Sequence, residues 1–166
     1  RNKHYGRGLE FVTSHNGARM GAGLGQALSE AATYCYFASP PFFQIWGSPE
    51  EAVRLFLNAA CGWDMSVKDI EEITLRNYYF NRCVSLREGY HPAKDDFLPP
   101  RAFDEPITDK YGTTWVWDKT DLEEEKARHY VKELKLTEAG LPPRDGLKRL
   151  GLDFVIPVLD PMGAIG

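Results

Sequence analysis

Closely spaced metal-binding side chains are missing from this sequence. There is no C-x-x-C and no H-x-x-x-H, and the four histidines, His4, His15, His91 and His129, are scattered. A tetrahedral zinc or a four-iron cluster generally takes four protein ligands, two of them only a few residues apart, so this chain cannot build either alone. Cysteine is scarce as well: Cys35, Cys61 and Cys83 are odd in number and widely spaced, which argues against a disulfide framework and fits a reducing cytoplasm. Positive charge is not in excess, since 20 Lys and Arg face 24 Asp and Glu for a net charge of −4. No general attraction to nucleic acid or to an acidic membrane follows from that balance. No apolar run approaches the length that spans a bilayer, and no signal-peptide pattern opens the sequence. Internal repeats and low-complexity segments are absent too.

What is present suits one globular domain. The 166 residues are 43% hydrophobic and 13% aromatic, enough for a core rich in rings. The first residue is Arg1, so the segment is expected to come from a longer protein. The stretch from Gly62 to Arg101 organises the chain around a long helix. Ser66 and Asp69 form a capping pair, with acidic side chains crowding the first turn. Ile70, Ile73, Asn77, Phe80 and Val84 recur at helical spacing and are expected to face inward, while the run Tyr78-Tyr79-Phe80 implies neighbours on more than one side. Gly89 stops the helix and Pro92 prevents an easy restart.

Before this stretch, the glycines between Gly6 and Gly25 include Gly21-Ala-Gly-Leu-Gly, which is not GxGxxG. Close backbone approach explains them better than a phosphate loop. His15 sits in a polar turn and reads as a surface or capping histidine rather than a catalytic one. A helix is expected from Leu24 to Phe37, closed by Ser39-Pro40-Pro41, and residues 40–46 form an apolar loop. Ser48-Pro49-Glu50-Glu51 is a strong helix start, with Val53, Phe56, Leu57 and Ala60 inward and Gly62 as the stop. After Arg101, residues 102–119 read as a long loop with one short strand. Thr120 to Glu123 predicts a capping box for a helix to about Leu136, with Leu122, Tyr130, Val131 and Leu134 inward. The charge run Glu123–Lys126 is expected on its solvated face. A short helix follows from Arg144 to Leu150, stopped by Gly151.

Among residues that carry chemistry, Cys83 reads as a small buried hydrophobe, and Cys61, beside its glycine, as structural. By residue type Cys35 is also a core cysteine. Yet it closes an alanine-rich helix before an aromatic, proline-broken loop. A cluster ligand occupies such a place, partly desolvated and near backbone N–H groups.

The order of motifs then becomes informative: Cys35-Tyr-Phe, AACGWD at 59–64, a helix ending FNRCVSLREGY at 80–90, KDDFLPPR at 94–101, and HYVKELKLTEAGLPPRDGLKRLGL at 129–152. Together they resemble the C-terminal part of the aldehyde ferredoxin oxidoreductase family, over roughly residues 24–156. The helical patterning points to an all-α fold, an irregular helical domain with long loops, and the tail 152–166, apolar and without charge after Asp160, is expected to be extended along a surface of the full protein. The resemblance implies that residues 1–166 are the C-terminal part of a larger enzyme. It further implies a tungsten (or molybdenum) bis-pterin and a 4Fe-4S cluster, both held mostly by residues outside this segment. Cys35 falls on the cluster cysteine, Tyr34 on a Leu whose backbone approaches the pterin, and Glu30 on the Asp that hydrogen-bonds it. The carboxylate is one methylene longer than in the family pattern, and Tyr replaces Leu. Cys61 stands where Thr is common, and Ser85 where Asn is common.

The implied reaction is oxidation of an aldehyde to a carboxylic acid, with ferredoxin or a similar carrier taking the electrons. Its partners would be that carrier and the N-terminal domains of the same enzyme, and a homodimer is compatible. Catalytic base and substrate-pocket residues lie earlier in such proteins, so none is assigned here. Two rivals stand beside this reading. One is the active-site subunit of a class II benzoyl-CoA reductase, which reduces an aromatic ring. The other is a metal-free helical interaction module working through the loops 40–46 and 111–117.

Overall fold

The computed structural model describes residues 24–35 and 47–166. The glycine-rich start with His15, and the apolar loop 40–46, lie outside the described residues. The architecture is an irregular helical domain with a small two-stranded ribbon, as expected for the fold class.

Helix α1 spans Leu24–Ala31, α2 Pro49–Cys61 and α3 Val67–Arg87. At the start of α3, Ser66 Oγ accepts from Asp69 N at 3.2 Å while Asp69 Oδ2 accepts from Ser66 N at 2.7 Å, a complete capping box. At its far end Gly89 adopts φ +91°, and Tyr90 N closes back on Ser85 O at 3.1 Å. Few residues other than glycine tolerate that conformation.

The buried face of α3 differs from the one its apolar pattern predicts. Ile70, Thr74, Tyr78, Arg82 and Leu86 form the buried row, joined by Tyr79 and Cys83. Ile73, Phe80 and Val84 are 39%, 41% and 36% exposed. The row that wins runs in steps of four and includes a threonine and an arginine, so an apolar count passes over it. Thr74 satisfies its hydroxyl by donating to Ile70 O at 2.7 Å.

Helix α2 starts as expected: Ser48 Oγ caps Glu51 N at 3.1 Å, Pro49 opens the helix, and Gly62 ends it at φ +69°. The Glu51 side chain holds Arg54 through two 2.7 Å hydrogen bonds. Ala52 and Val53 are buried, whereas Phe56, predicted inward, is 55% exposed.

Short helices α4 (Pro92–Asp95) and α5 (Arg101–Asp104) lead into an antiparallel ribbon of β1 (Ile107–Thr108) and β2 (Thr114–Trp115). The predicted single strand is therefore two, because Asp109 Oδ1 gathers the amides of Tyr111 and Thr113 at 2.8 and 3.0 Å and folds the turn. Helix α6 spans Lys119–Lys132, and its cap is Asp118, which accepts from Asp121 N at 2.9 Å, two residues ahead of the predicted Thr120. Leu122, Tyr130 and Leu134 are buried as expected, while Val131 is exposed.

Helix α7, Arg144–Arg149, is followed by Gly151 at φ +65°. Residues 152–166, expected to be an extended tail, instead coil into three short turns, with α8 (Ile156–Leu159) between 3-10 turns. The chain then returns to Pro142–Arg144, where Arg144 N donates to Gly166 O at 2.9 Å and Gly166 N to Pro142 O at 3.2 Å. Leu159 and Ala164 thereby join the main core of Tyr78, Tyr79, Cys83 and Tyr130. A smaller core of Leu28, Val53 and Ile70 ties α1 and α2 to the start of α3.

Candidate functional site

Helix α1 spans both cores: Ala27 packs into the main one and Leu28 into the smaller. It ends at Ala31 rather than running to Phe37, and the ending has a specific geometry. Thr33 takes the left-handed conformation at φ +54°, Thr33 N donates to Glu30 O at 3.2 Å, and Tyr34 N donates to Ser29 O at 3.1 Å. This is the Schellman pattern of helix termination, in which an apolar residue after the left-handed one folds back on the helix. Tyr34 does so, packing against the core of Leu28, Val53 and Ile70. The aromatic ring at position 34 is thus an anchor for the turn.

Cys35 lies just past this turn and is exposed, not the core cysteine that its residue type suggests. Glu30 is exposed on the last turn of α1. Its carboxylate is held from two sides, with Gln26 Nε2 donating to Oε1 at 2.9 Å and Asn77 Nδ2 to Oε2 at 3.3 Å. Asn77 Nδ2 also donates to Ala27 O at 3.1 Å, so one amide of α3 fixes both the backbone of α1 and its terminal acid. Asn77 was expected to do no more than fill the inward face of α3.

Of the other thiols, Cys61 is exposed at the end of α2, while Cys83 is buried and its pKa is pushed up to about 12 by burial. Among the described residues no three His, Cys, Asp or Glu side chains gather as a metal site. Among the described residues, Cys35 therefore offers a single thiolate with no gathered companion ligands.

The glycine–tryptophan–aspartate turn after α2 is braced by Asn58, whose Nδ2 donates to Met65 O at 2.9 Å and whose Oδ1 accepts from Met65 N at 3.0 Å. Trp63 is left 55% exposed, beside an open groove lined by Asp64, Glu72, Arg76 and Arg149.

A buried polar cluster, which sequence reasoning missed, joins three of the motifs. Arg82 Nη2 donates to Asp96 Oδ2 at 2.7 Å, Nη1 to the Tyr90 hydroxyl at 2.8 Å, and Nη2 again to Gly140 O at 3.1 Å. The Tyr130 hydroxyl donates to the same Asp96 oxygen, and Lys126 Nζ donates to Asp96 O at 2.9 Å. The guanidinium also lies over the rings of Tyr90 and Tyr130, 4.8 and 5.7 Å from their centroids. Burial alone would lower the Arg82 pKa, but Tyr78, Asp96 and Tyr130 outweigh it and raise the value. Burial first, then the Asp96 charge, hold the Tyr130 hydroxyl well above the ordinary phenol range. Lys126, placed by its charge run on a solvated face, is only 4% exposed because it reaches Asp96 and Glu123. One signal was available: Arg82 follows Tyr78 and precedes Leu86 by four residues each, on the buried row.

These features make a helical module with a braced helix end, an exposed thiol beyond it, and a polar clamp at its centre. Residues 23–152 match the family described as aldehyde ferredoxin oxidoreductase, domains 2 and 3. The chain is 35% identical over 130 residues to the tungsten-containing aldehyde ferredoxin oxidoreductase of Pyrococcus abyssi, covering 78% of this chain and 20% of that protein. It is 35% identical over 126 residues to the Thermococcus kodakarensis protein of that name, covering 76% and 19%. For the Pyrococcus furiosus protein the identity is 34% over 128 residues, covering 76% and 19%. The chain belongs to the aldehyde ferredoxin oxidoreductase family. It spans about a fifth of the length of these relatives. No helix among the described residues is long and apolar enough to cross a membrane.

Proposed function

We propose that this chain is the closing helical part of a tungsten–pterin aldehyde oxidoreductase, and that Cys35 gives one thiolate to its 4Fe-4S cluster. The observation that carries the reading is the exposed thiol of Cys35, set just beyond a hydrogen-bonded helix end, in a chain of this family. Glu30 offers a carboxylate to pterin N–H groups, since two acceptor oxygens match planar donors. The backbone at Tyr34, fixed by its ring, provides the second approach to the pterin.

The overall change is oxidation of an aldehyde to a carboxylic acid with water as the oxygen source, releasing two protons and passing two electrons to the carrier. When bound, the metal–pterin group supplies the two-electron chemistry and the cluster the route outward, to ferredoxin or a similar carrier. The part of this chain is mechanical and electrostatic: Cys35 holds iron, Glu30 orients the pterin, and the packed helices exclude water from one side. The names of the relatives support aldehyde oxidation over ring reduction of an aryl-CoA. Three cysteines without a disulfide support a reducing, cytoplasmic setting.

Replacing Cys35→Ser in the complete enzyme and measuring iron per polypeptide tests the ligand assignment. Iron should fall sharply, and unchanged iron refutes the assignment. Reduction of a viologen dye with acetaldehyde or crotonaldehyde, compared with turnover of an aryl-CoA thioester, tests the substrate class.

A further inference from the structure

Gln26 stands one helical turn before Glu30 on α1, half-buried, and its amide is satisfied at one end only. Nε2 donates to Glu30 Oε1 at 2.9 Å, while Oε1 is shut off from solvent and has no hydrogen-bond partner. Stability does not explain this arrangement. A hydrogen-bonded pair four residues apart on a helix contributes little, and a buried carbonyl left unpaired costs more than such a pair supplies. Turning the amide end for end would set its oxygen against a carboxylate oxygen, acceptor against acceptor. The carboxylate of Glu30 therefore dictates how Gln26 is oriented. A buried polar atom kept without a partner marks a place where something other than stability is served.

The other oxygen of that carboxylate accepts from Asn77 Nδ2 at 3.3 Å. Two amides from different helices thus hold the last torsion of the Glu30 side chain, a rotation that is broad when nothing holds it. Aspartate lacks that torsion. Asn77 also donates to Ala27 O at 3.1 Å, so it ties α3 to α1 independently of the acid. The Gln26 side chain makes no other hydrogen bond among the described residues, so its one tie serves Glu30. We infer that Gln26 is a positioning residue: it sets the plane in which the Glu30 carboxylate meets the N–H groups of the pterin. The inference rests on the pterin contact proposed above for Glu30, and Gln26 acts through that acid. An N–H bonds best to a carboxylate oxygen when it lies near the carboxylate plane. The orientation of the acid, and not its charge alone, therefore decides how firmly the cofactor is held.

The test is a double-mutant cycle in the full-length enzyme, read as pterin and tungsten per polypeptide, with iron per polypeptide and the tungsten electron paramagnetic resonance signal beside them. Gln26→Met keeps side-chain length and helix propensity and removes the amide. It should lower pterin content by about threefold or more and leave iron unchanged. Glu30→Asp removes the torsion that Gln26 holds. On that background Gln26→Met should alter pterin content by less than about twofold, whereas a packing role would give the same loss on both backgrounds. Equal losses, no loss with Gln26→Met alone, or a parallel loss of iron would each overturn the inference. If Glu30→Asp alone empties the site, the tungsten signal decides. The Gln26→Met enzyme that retains metal should show a broadened signal, and an unchanged one overturns the inference. Glu30→Gln separates this role from the contact beneath it. Pterin content unchanged in Glu30→Gln means that Glu30 makes no pterin contact. Pterin lost in Glu30→Gln but kept in Gln26→Met leaves the contact standing and removes the positioning role.

Discussion

The guanidinium of Arg82 meets the carboxylate of Asp96 at 2.7 Å with the two side chains 1% and 0% exposed, so the most deeply buried charge pair among the described residues is one that water does not reach. A buried pair of this kind is costly to form, but removing one partner leaves an uncompensated charge, at a cost of about 3–5 kcal/mol. Asp96→Ala strands Arg82 and also takes the acceptor from the Tyr130 hydroxyl, while Lys126 keeps its bond to the backbone oxygen of residue 96. Tyr130→Phe removes a single donor from a carboxylate that keeps Arg82, which costs about 1–3 kcal/mol. The expected outcome is a graded loss of protection in α3. Amide hydrogen exchange in the complete enzyme should accelerate strongly in the Asp96 variant and modestly in the Tyr130 variant. Equal effects would show that the ion pair does not organise the cluster.

A smaller strain lies at the end of α1. Thr33 is a β-branched residue at φ +54°, a conformation that costs such side chains about 1–2 kcal/mol and that glycine adopts freely. Thr33→Gly should relieve that strain, offset in part by the greater freedom of glycine in the unfolded chain. A net gain of roughly 0.5–1 kcal/mol in the local stability of α1 is expected. Slower exchange of the Ala32, Thr33 and Tyr34 region would show it, and faster exchange would mean that the threonine makes a contact worth more than its strain.

The sequence made the domain legible where the signals are local and missed it where they depend on distant partners. Caps and stops are local, so Ser48, Ser66, Gly62, Gly89 and Gly151 could be read directly, and each performs as expected. The orientation of α3 was not local. The apolar residues Ile73, Phe80 and Val84 outscore Thr74 and Arg82 on any hydropathy count. Yet Arg82 turns inward because Asp96, fourteen residues on, and Gly140, fifty-eight residues on, supply acceptors that no periodicity reveals. Lys126 misleads for the same reason. The tail failed differently: its lack of charge suggested a surface ribbon, whereas its apolar residues turn back into the core through Leu159 and Ala164. The apolar pattern on α3 does mark one row, Ile73, Phe80 and Val84, but among the described residues that row stays more than a third exposed.

His129 gives the domain a pH dependence of definite sign. Burial lowers its pKa below the ordinary 6.5, partly opposed by Glu133, so the folded protein prefers the neutral ring. A group whose folded pKa is depressed contributes its stability in full above the unfolded value and loses it as pH falls through the folded one. Exchange in α6 should therefore accelerate as pH drops below about 6.5, after correction for the intrinsic exchange rate. His129→Gln should flatten that part of the profile relative to the parent protein. An unchanged profile would place the titration on the carboxylates instead.

The link between Asn77 and Glu30 offers the sharpest separation of scaffold from cofactor contact. If the amide orients the carboxylate toward the pterin, Asn77→Asp sets a like charge 3.3 Å from Glu30 and should drive that side chain away. Tungsten and pterin per polypeptide should then fall several-fold, while iron, if Cys35 binds the cluster as proposed, should stay near the parent level. Asn77→Ala should act more mildly, because Gln26 still holds the other oxygen at 2.9 Å. Glu30→Gln provides the reference, for if it leaves pterin content unchanged then Glu30 makes no such contact and Asn77 has only a helix-tying role through Ala27. Loss of iron and tungsten together in the Asp variant would point to the same structural role, since displacing α1 from α3 would move both the acid and the thiol.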